Sequence, residues 1–187
     1  MGRWEPDAAG RLREAAMALY AERGYDRTTV AEIADRAGVT ARTFFRHFAD
    51  KREVLFAGSE QLEHHMVKAL REAPADATPM EAVAAGVFAS AEFFDAIRRD
   101  YSRRRQAVIT ATPELREREL IKLAALTSAL TKALLDRGVG PDVAALAAET
   151  GVAVFRVAFE RWIAGPDGVS MADVIRSTFQ TLAGLTA

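Results

Sequence analysis

Apolar residues recur along this chain at intervals of three and four and almost nowhere alternate, so the pattern predicts helices from end to end. Leu12, Ala15, Ala16 and Leu19 form one stripe of a first helix over about 7–23, which Gly24 ends. Thr29 and Glu32 have the spacing of a capping box, in which each residue's side chain satisfies the other's backbone N–H. They start a second helix with Val30, Ile33, Ala34 and Ala37 inside, and Gly38 stops it after about two turns. Thr40 caps a third helix with Phe44 and Phe48 inward. Asp50 and Glu53 repeat the box and predict a fourth helix from Lys51 to about residue 71. A proline-marked loop at 72–79 precedes a fifth helix over 80–98, carrying Met80, Val83, Val87, Phe88 and Phe94. A shorter helix is expected at 100–110. Pro113, behind Thr112, opens the next, which ends at Gly138. Pro141 opens another to about 164, apolar around most of its circumference and therefore buried on more than one side. Ser170 caps the last, whose Met171, Val174, Ile175, Thr178, Phe179 and Leu182 follow a single seam.

The expected fold is therefore all-α with about nine helices. With 187 residues, half of them hydrophobic, the chain is long enough to bury a sizeable core without covalent staples. It has no cysteine, which removes disulfide scaffolds, thiolate metal sites and cysteine nucleophiles, and fits a cytoplasmic location. Its start, MGRWEPDAAGRLREAA, lacks the apolar core of a secretory leader, and no stretch reads as a membrane span.

A net charge of -1 argues against a nucleic-acid binder until its distribution is considered. Between residues 36 and 52 stand Arg36, Arg42, Arg46, Lys51 and Arg52 against Asp50 alone. This basic stretch coincides with two short helices crossing over a tight turn. Ala34 is small enough for the crossing, Gly38 tolerates a positive φ in the turn, and Val39 and Phe44 anchor the second helix. The pattern is a helix-turn-helix. Its free face offers Thr40, Arg42, Thr43, Arg46 and His47, hydroxyls and cations suited to phosphates and guanine edges.

Thr28, Thr29, Ile33, Ala34, Ala37, Gly38, Val39, Thr40, Thr43, Phe45, His47, Phe48, Lys51 and Leu55 stand at the positions of a known motif. Over about residues 10–56 the chain resembles the DNA-binding head of TetR-family regulators. The run RRRQAVITATPELRERELIKL is similar to many actinobacterial members. The resemblance implies a head at 1–50 and, at 51–187, a helical body for effector binding and dimerisation. It implies phosphate contacts from Thr29 and Lys51, backbone contacts from Thr40, Thr43 and His47 beside Arg46, and base reading by Arg42. Phe45 stands where the family commonly has tyrosine, and is expected to press on sugars or a thymine methyl instead of bonding a phosphate. Arg42 replaces a frequent glycine, so the operator should differ from those of glycine-bearing members.

In the family the last two helices pair with their mates in a four-helix bundle, and Ala144, Ala148 and Gly151 offer the small surfaces such an approach needs. A twofold dimer would set its recognition helices roughly 34 Å apart on a palindromic operator of double-stranded DNA. A small-molecule effector that releases a repressor is implied in the same way, with Phe88, Phe94, Asp95, Tyr101, Phe155 and Phe159 as candidate lining.

Other readings are weaker. No nucleophile, base and orienter set is visible, so a helical enzyme is not expected, nor is a cofactor or metal. Adjacent His64 and His65 diverge by about 100° on a helix. Glu60 and His64 fit a solvated face better than a metal site. The cluster Arg98, Arg99, Arg103, Arg104 and Arg105 is expected to pair with Glu92, Asp95, Asp100 and nearby acids, and Arg156 with Glu160.

Overall fold

The structure, a computed structural model, describes residues 7–94 and 96–186, excluding the side chains of 96–98 and 186. Asp95, a candidate effector residue, lies outside the described residues, as does the side chain of Arg98. The described residues form α1 (Ala8–Arg23), α2 (Val30–Arg36), α3 (Ala41–His47), α4 (Ser59–Glu72), α5 (Pro79–Ala89), a 3-10 helix (Ser90–Phe93), α6 (Ala96–Ala111), α7 (Pro113–Asp136), α8 (Pro141–Ala164) and α9 (Met171–Thr186), with no strand among them. The all-α reading with nine α-helices therefore holds for these residues.

The chain packs as two units. The first comprises Met1–Ala57 with Arg104–Glu119, the second Gly58–Arg103 with Leu120–Ala187. In the first, α1 packs on α2 and α3 and buries Leu12, Ala16, Leu19, Ile33, Ala34 and Phe44. Each of the larger side chains contributes about 1.5–3 kcal/mol by leaving water. In the second, α4 lies on α5, α5 on α8 and α8 on α9. Met66, Leu70, Val83, Val87, Leu130, Leu134, Trp162 and Ile175 fill that core.

Three helix boundaries depart from the expected ones. Asp50 does act as a cap, accepting from the N–H groups of Arg52 (2.8 Å) and Glu53 (3.2 Å). The turns that follow close three residues back, Leu55 on Arg52 and Phe56 on Glu53. Gly58, at φ 95°, then breaks any helical continuation, so α4 starts at Ser59 and not at Lys51. The long helix expected over 80–98 likewise ends at Ala89. The buried Ser90 hydroxyl donates to the Val87 carbonyl at 2.6 Å, competing with the backbone for that acceptor. The chain tightens into the 3-10 helix, leaves helical geometry at Phe94, and restarts as α6 at residue 96, earlier than expected.

Within the arginine cluster, Arg99 and Arg103 reach backbone carbonyls. A helix end leaves carbonyls without intrahelical partners, and cations are favoured there. Arg99 donates to the carbonyls of Trp162 and Val169, and its guanidinium lies 5.1 Å from the Trp162 ring centroid. Arg103 donates to Ile163 (2.6 Å) and Gly165 (2.7 Å) and pairs with Asp167. The two thus close the C-terminal end of α8. Arg156 and Glu160 do form their pair, at 3.9 Å on an exposed face.

Ala144, Ala148 and Gly151 of α8 face inward. Ala144 and Ala148 are fully buried, and a methyl on Gly151 would sit 2.2 Å from Val83 Cγ1. Gly151 therefore permits the approach of α5 within the chain, which corrects its expected use against a second copy. The exposed side of α8 instead carries Val143, Leu146, Ala153 and Val157, with Leu146 70% exposed.

Candidate nucleic-acid interface

The head is built from local rules. Thr29 accepts from the Glu32 N–H, and the Glu32 carboxylate accepts from the Thr29 N–H (2.9 Å) and hydroxyl (2.9 Å), completing the capping box. These bonds, led by that from the backbone of Thr29, hold the Glu32 carboxyl below the usual carboxylate range. At the other end of α2, Gly38 takes φ 68°. The Gly38 N–H then reaches the Asp35 carbonyl and the Val39 N–H the Ala34 carbonyl, both at 2.9 Å. This paired closure needs a residue free to adopt positive φ, and it reverses the chain in one step. Thr40 then caps α3 by accepting from the Thr43 N–H at 3.2 Å, with the two hydroxyls 3.1 Å apart.

Fully buried Phe44 and nearly buried Phe48 fix α3 to the head, their rings 5.6 Å apart. That anchoring leaves Arg42, Phe45, Arg46 and His47 exposed, with Phe45 at 59%. Among the described residues Arg42, Arg46 and His47 make no hydrogen bond or ion pair. Their neighbours differ. Arg36 pairs with Glu22 at 2.6 Å and depresses that carboxyl, Arg23 with Glu32 at 2.7 Å, and Arg52 with Asp50 at 2.6 Å. The basic stretch is thus narrower than its charge count suggests, because Arg36 and Arg52 are neutralised locally. What remains is a face of two unpaired guanidiniums, an imidazole and an apolar ring, with no carboxylate between residues 36 and 50.

Two residues expected on DNA make contacts within the head. The Thr29 hydroxyl belongs to the capping box. The Lys51 ammonium donates to the carbonyls of Tyr25 (2.9 Å), Thr28 (3.0 Å) and Asp26 (3.5 Å), and stands 4.2 Å from the Tyr25 ring centroid.

Sequence reasoning missed the residues that brace the segment after α3. The Tyr20 hydroxyl donates to the Lys51 carbonyl at 2.8 Å. The Arg105 Nε donates to the Leu55 carbonyl at 2.5 Å, and Arg118 pairs with Glu53 at 2.6 Å. Glu114 meets both Arg52 (3.4 Å) and the Tyr25 hydroxyl (3.4 Å). Burial, then the Glu114 charge, pushes the Tyr25 phenol well above its ordinary pKa. The only sequence signal for these braces was the alternation of charge between Arg105 and Glu119, which has no address in the chain order.

In the second unit, Phe94 lies 5.3 Å from Phe159, 6.3 Å from Phe155 and 5.4 Å from Trp162, between ring centroids. Three expected effector residues therefore share one aromatic cluster. Phe88 stacks instead on Phe179, and Tyr101 is half-buried on α6. No helix among the described residues is long and apolar enough to cross a membrane.

Residues 12–57 match the family described as bacterial regulatory proteins, tetR family, and residues 77–186 match the MftR C-terminal domain. An HTH-type transcriptional regulator of Mycobacterium tuberculosis (strain CDC 1551 / Oshkosh) is 37% identical over 86 residues, 46% of this chain. The chain spans less than half of that relative's length, 44%. The mycofactocin biosynthesis transcriptional regulator MftR of Mycobacterium tuberculosis (strain ATCC 25618 / H37Rv) is 25% identical over 99% of this chain and 94% of its own. The fold is shared with the transcriptional regulator FadR from Bacillus subtilis in complex with stearoyl-CoA, at a TM-score of 0.62, 20% identity, and 92% and 96% coverage of the two chains. Helix-turn-helix geometry, an unpaired basic face on α3 and family matches over both parts of the chain converge, and the chain belongs to the tetR family of bacterial regulatory proteins.

Proposed function

We propose that this regulator is a homodimeric repressor that binds a palindromic operator through α3 and is released by a small-molecule effector. The observation that carries the DNA reading is the exposed face of α3, on which Arg42, Arg46 and His47 have no partner within the described residues. Unpaired guanidiniums attract phosphates and match the two acceptors of guanine in the major groove. Arg42, near the start of α3, reads a base, while Arg46, His47, Thr40 and Thr43 hold the phosphate backbone. Phe45 packs on a sugar or a thymine methyl. Thr29 fixes the start of α2 through its box with Glu32.

Dimerisation is supported by Val143, Leu146, Ala153 and Val157, an apolar stripe that α8 leaves exposed. The effector reading is supported by the cluster of Phe94, Phe155 and Phe159. Phe88, Tyr101 and Asp95 complete the candidate set. The protein acts by binding, without turnover, in the cytoplasm where its operator lies. Linkage requires that an effector which weakens operator binding be weakened equally by the operator.

Selection of bound sequences from a random DNA pool by the purified dimer tests the reading. A palindrome should be enriched, and Arg42→Ala should relax one position in each half-site. Absence of any enrichment at low salt from folded dimer would overturn it.

A further inference from the structure

Lysine at the position of Lys51 is expected to grip a phosphate, and the structure gives it another task. An ammonium has three N–H donors and no acceptor. Here the carbonyls of Tyr25, Asp26 and Thr28 converge on it, at 2.9, 3.5 and 3.0 Å. The Tyr25 ring adds a cation–π contact at 4.2 Å. All three donors point at the α1–α2 loop, and none remains for DNA. The loop is arranged for this. Thr28 and Tyr25 are buried, the Thr28 hydroxyl donates to the Gly24 carbonyl at 2.9 Å, and the Thr28 N–H to the Tyr25 carbonyl at 3.2 Å. From the other side, Tyr20 of α1 donates to the Lys51 carbonyl at 2.8 Å.

Lys51 follows α3 by four residues, and the loop it holds ends at Thr29, the cap of α2. The Lys51 side chain therefore ties the exit of the recognition helix to the start of the supporting helix, and its backbone carbonyl, held by Tyr20, ties the same residue to α1. We infer that Lys51 is a positioning residue for base reading, setting the orientation of α3, and not a phosphate contact. The inference rests on the DNA-binding reading for its effect on recognition, whereas the lock itself does not.

The test compares Lys51→Met with Arg46→Met, and uses three readouts. The first is amide hydrogen exchange over residues 24–30. Loss of the ammonium leaves three convergent carbonyls without a donor, so exchange should accelerate about tenfold in Lys51→Met and stay unchanged in Arg46→Met. The second is the salt dependence of operator binding. Each lost phosphate contact flattens the log–log slope by about 0.9, so Arg46→Met should flatten it and Lys51→Met should not. The third is discrimination between the operator and a version mismatched at the base read by Arg42. Losing a phosphate contact weakens all sequences alike, and mere loss of stability leaves relative preferences intact. A mispositioned α3 instead loses discrimination, by at least about threefold of the mismatch penalty.

A slope flattened by about 0.9 in Lys51→Met, or discrimination equal to the wild type, overturns the inference. Should Lys51→Met fail to fold, Tyr20→Phe removes one strand of the lock. It should give a milder acceleration and a milder loss of discrimination, again with an unchanged slope. If the wild-type dimer shows no salt-dependent or sequence-dependent binding, the DNA-binding reading fails instead, and unchanged exchange in Lys51→Met would still sink the lock.

Discussion

Gly151→Ala sets two well-measured effects against each other. Alanine is favoured over glycine inside a helix by about 0.8–1 kcal/mol, so an unhindered replacement in the middle of α8 should stabilise. The added methyl, however, would lie 2.2 Å from Val83 Cγ1 and 3.7 Å from Val83 Cβ. Val83 is fully buried and β-branched, so its χ1 cannot swing aside cheaply. The remaining response is for α5 and α8 to part, which loosens the centre of the body. Over-packing of this kind costs about 1–3 kcal/mol, so set against the propensity gain the net loss is up to about 2 kcal/mol. For a chain of this size that lowers the melting temperature by up to about 8 °C. Val83→Ala removes the obstructing methyl. The double variant should therefore recover at least about 1 kcal/mol beyond additivity, as expected for side chains in direct contact. The assay is equilibrium unfolding followed by helical circular dichroism at several protein concentrations, which separates body stability from dimer dissociation. An additive double variant, or a Gly151→Ala that shifts dimer affinity and leaves the body as stable as before, would refute the assignment of this helix face to α5.

Three further outcomes are expected. Leu146→Glu places a charge on the exposed apolar stripe of α8, and should convert dimer to monomer by sedimentation velocity without loss of helix; a persisting dimer would move the interface elsewhere. Phe45→Tyr restores the hydroxyl common in the family at a site 59% exposed, and should tighten operator binding by about 0.5–1.5 kcal/mol, measured by fluorescence anisotropy of labelled DNA. Burial raises the Asp50 carboxyl, but hydrogen bonds from Arg52 and the N–H of Glu53 outweigh it and leave the net shift downward. A depressed carboxylate stabilises the fold above its unfolded pKa of about 4 and loses that contribution as pH falls through the lower folded value. Asp50→Asn should therefore flatten the acid limb of a melting-temperature profile below about pH 4, and an unchanged limb would show that the cap contributes nothing.

The parts of the molecule that were legible in the chain are those governed by short range. The capping box of Thr29 and Glu32, the reversal at Gly38, the cap at Thr40 and the proline starts of α7 and α8 all involve residues within five positions of one another. Their geometry follows from backbone requirements that a few side chains satisfy. The turns at 51–58 were misread because the Asp50 cap is genuine, yet nothing in its spacing reports whether the next bonds close three or four residues back. The contacts of Lys51 were not legible for a different reason. Its partners at 25–28 are backbone carbonyls, which carry no residue-type signature. The braces from Arg105, Glu114 and Arg118 are beyond sequence reading on grounds of distance, since their partners lie 50 to 89 positions away. The inward turn of Gly151 shows that a small-residue stripe announces close approach without saying which helix approaches.

The closure of α8 by Arg99 has a practical use. Trp162 is one of two tryptophans in the chain, and it is buried with a guanidinium against its face and Phe94 and Phe159 beside it. Its excited state reports on those neighbours, so tryptophan emission, excited selectively, from a Trp4→Phe protein comes from Trp162 alone. A compound that parts Phe94 from Phe159, or draws Arg99 off the indole, changes the wavelength and yield of that light. Trp162 would therefore serve as a label-free sensor for any compound that reaches this cluster, and a library can be searched before any operator is known.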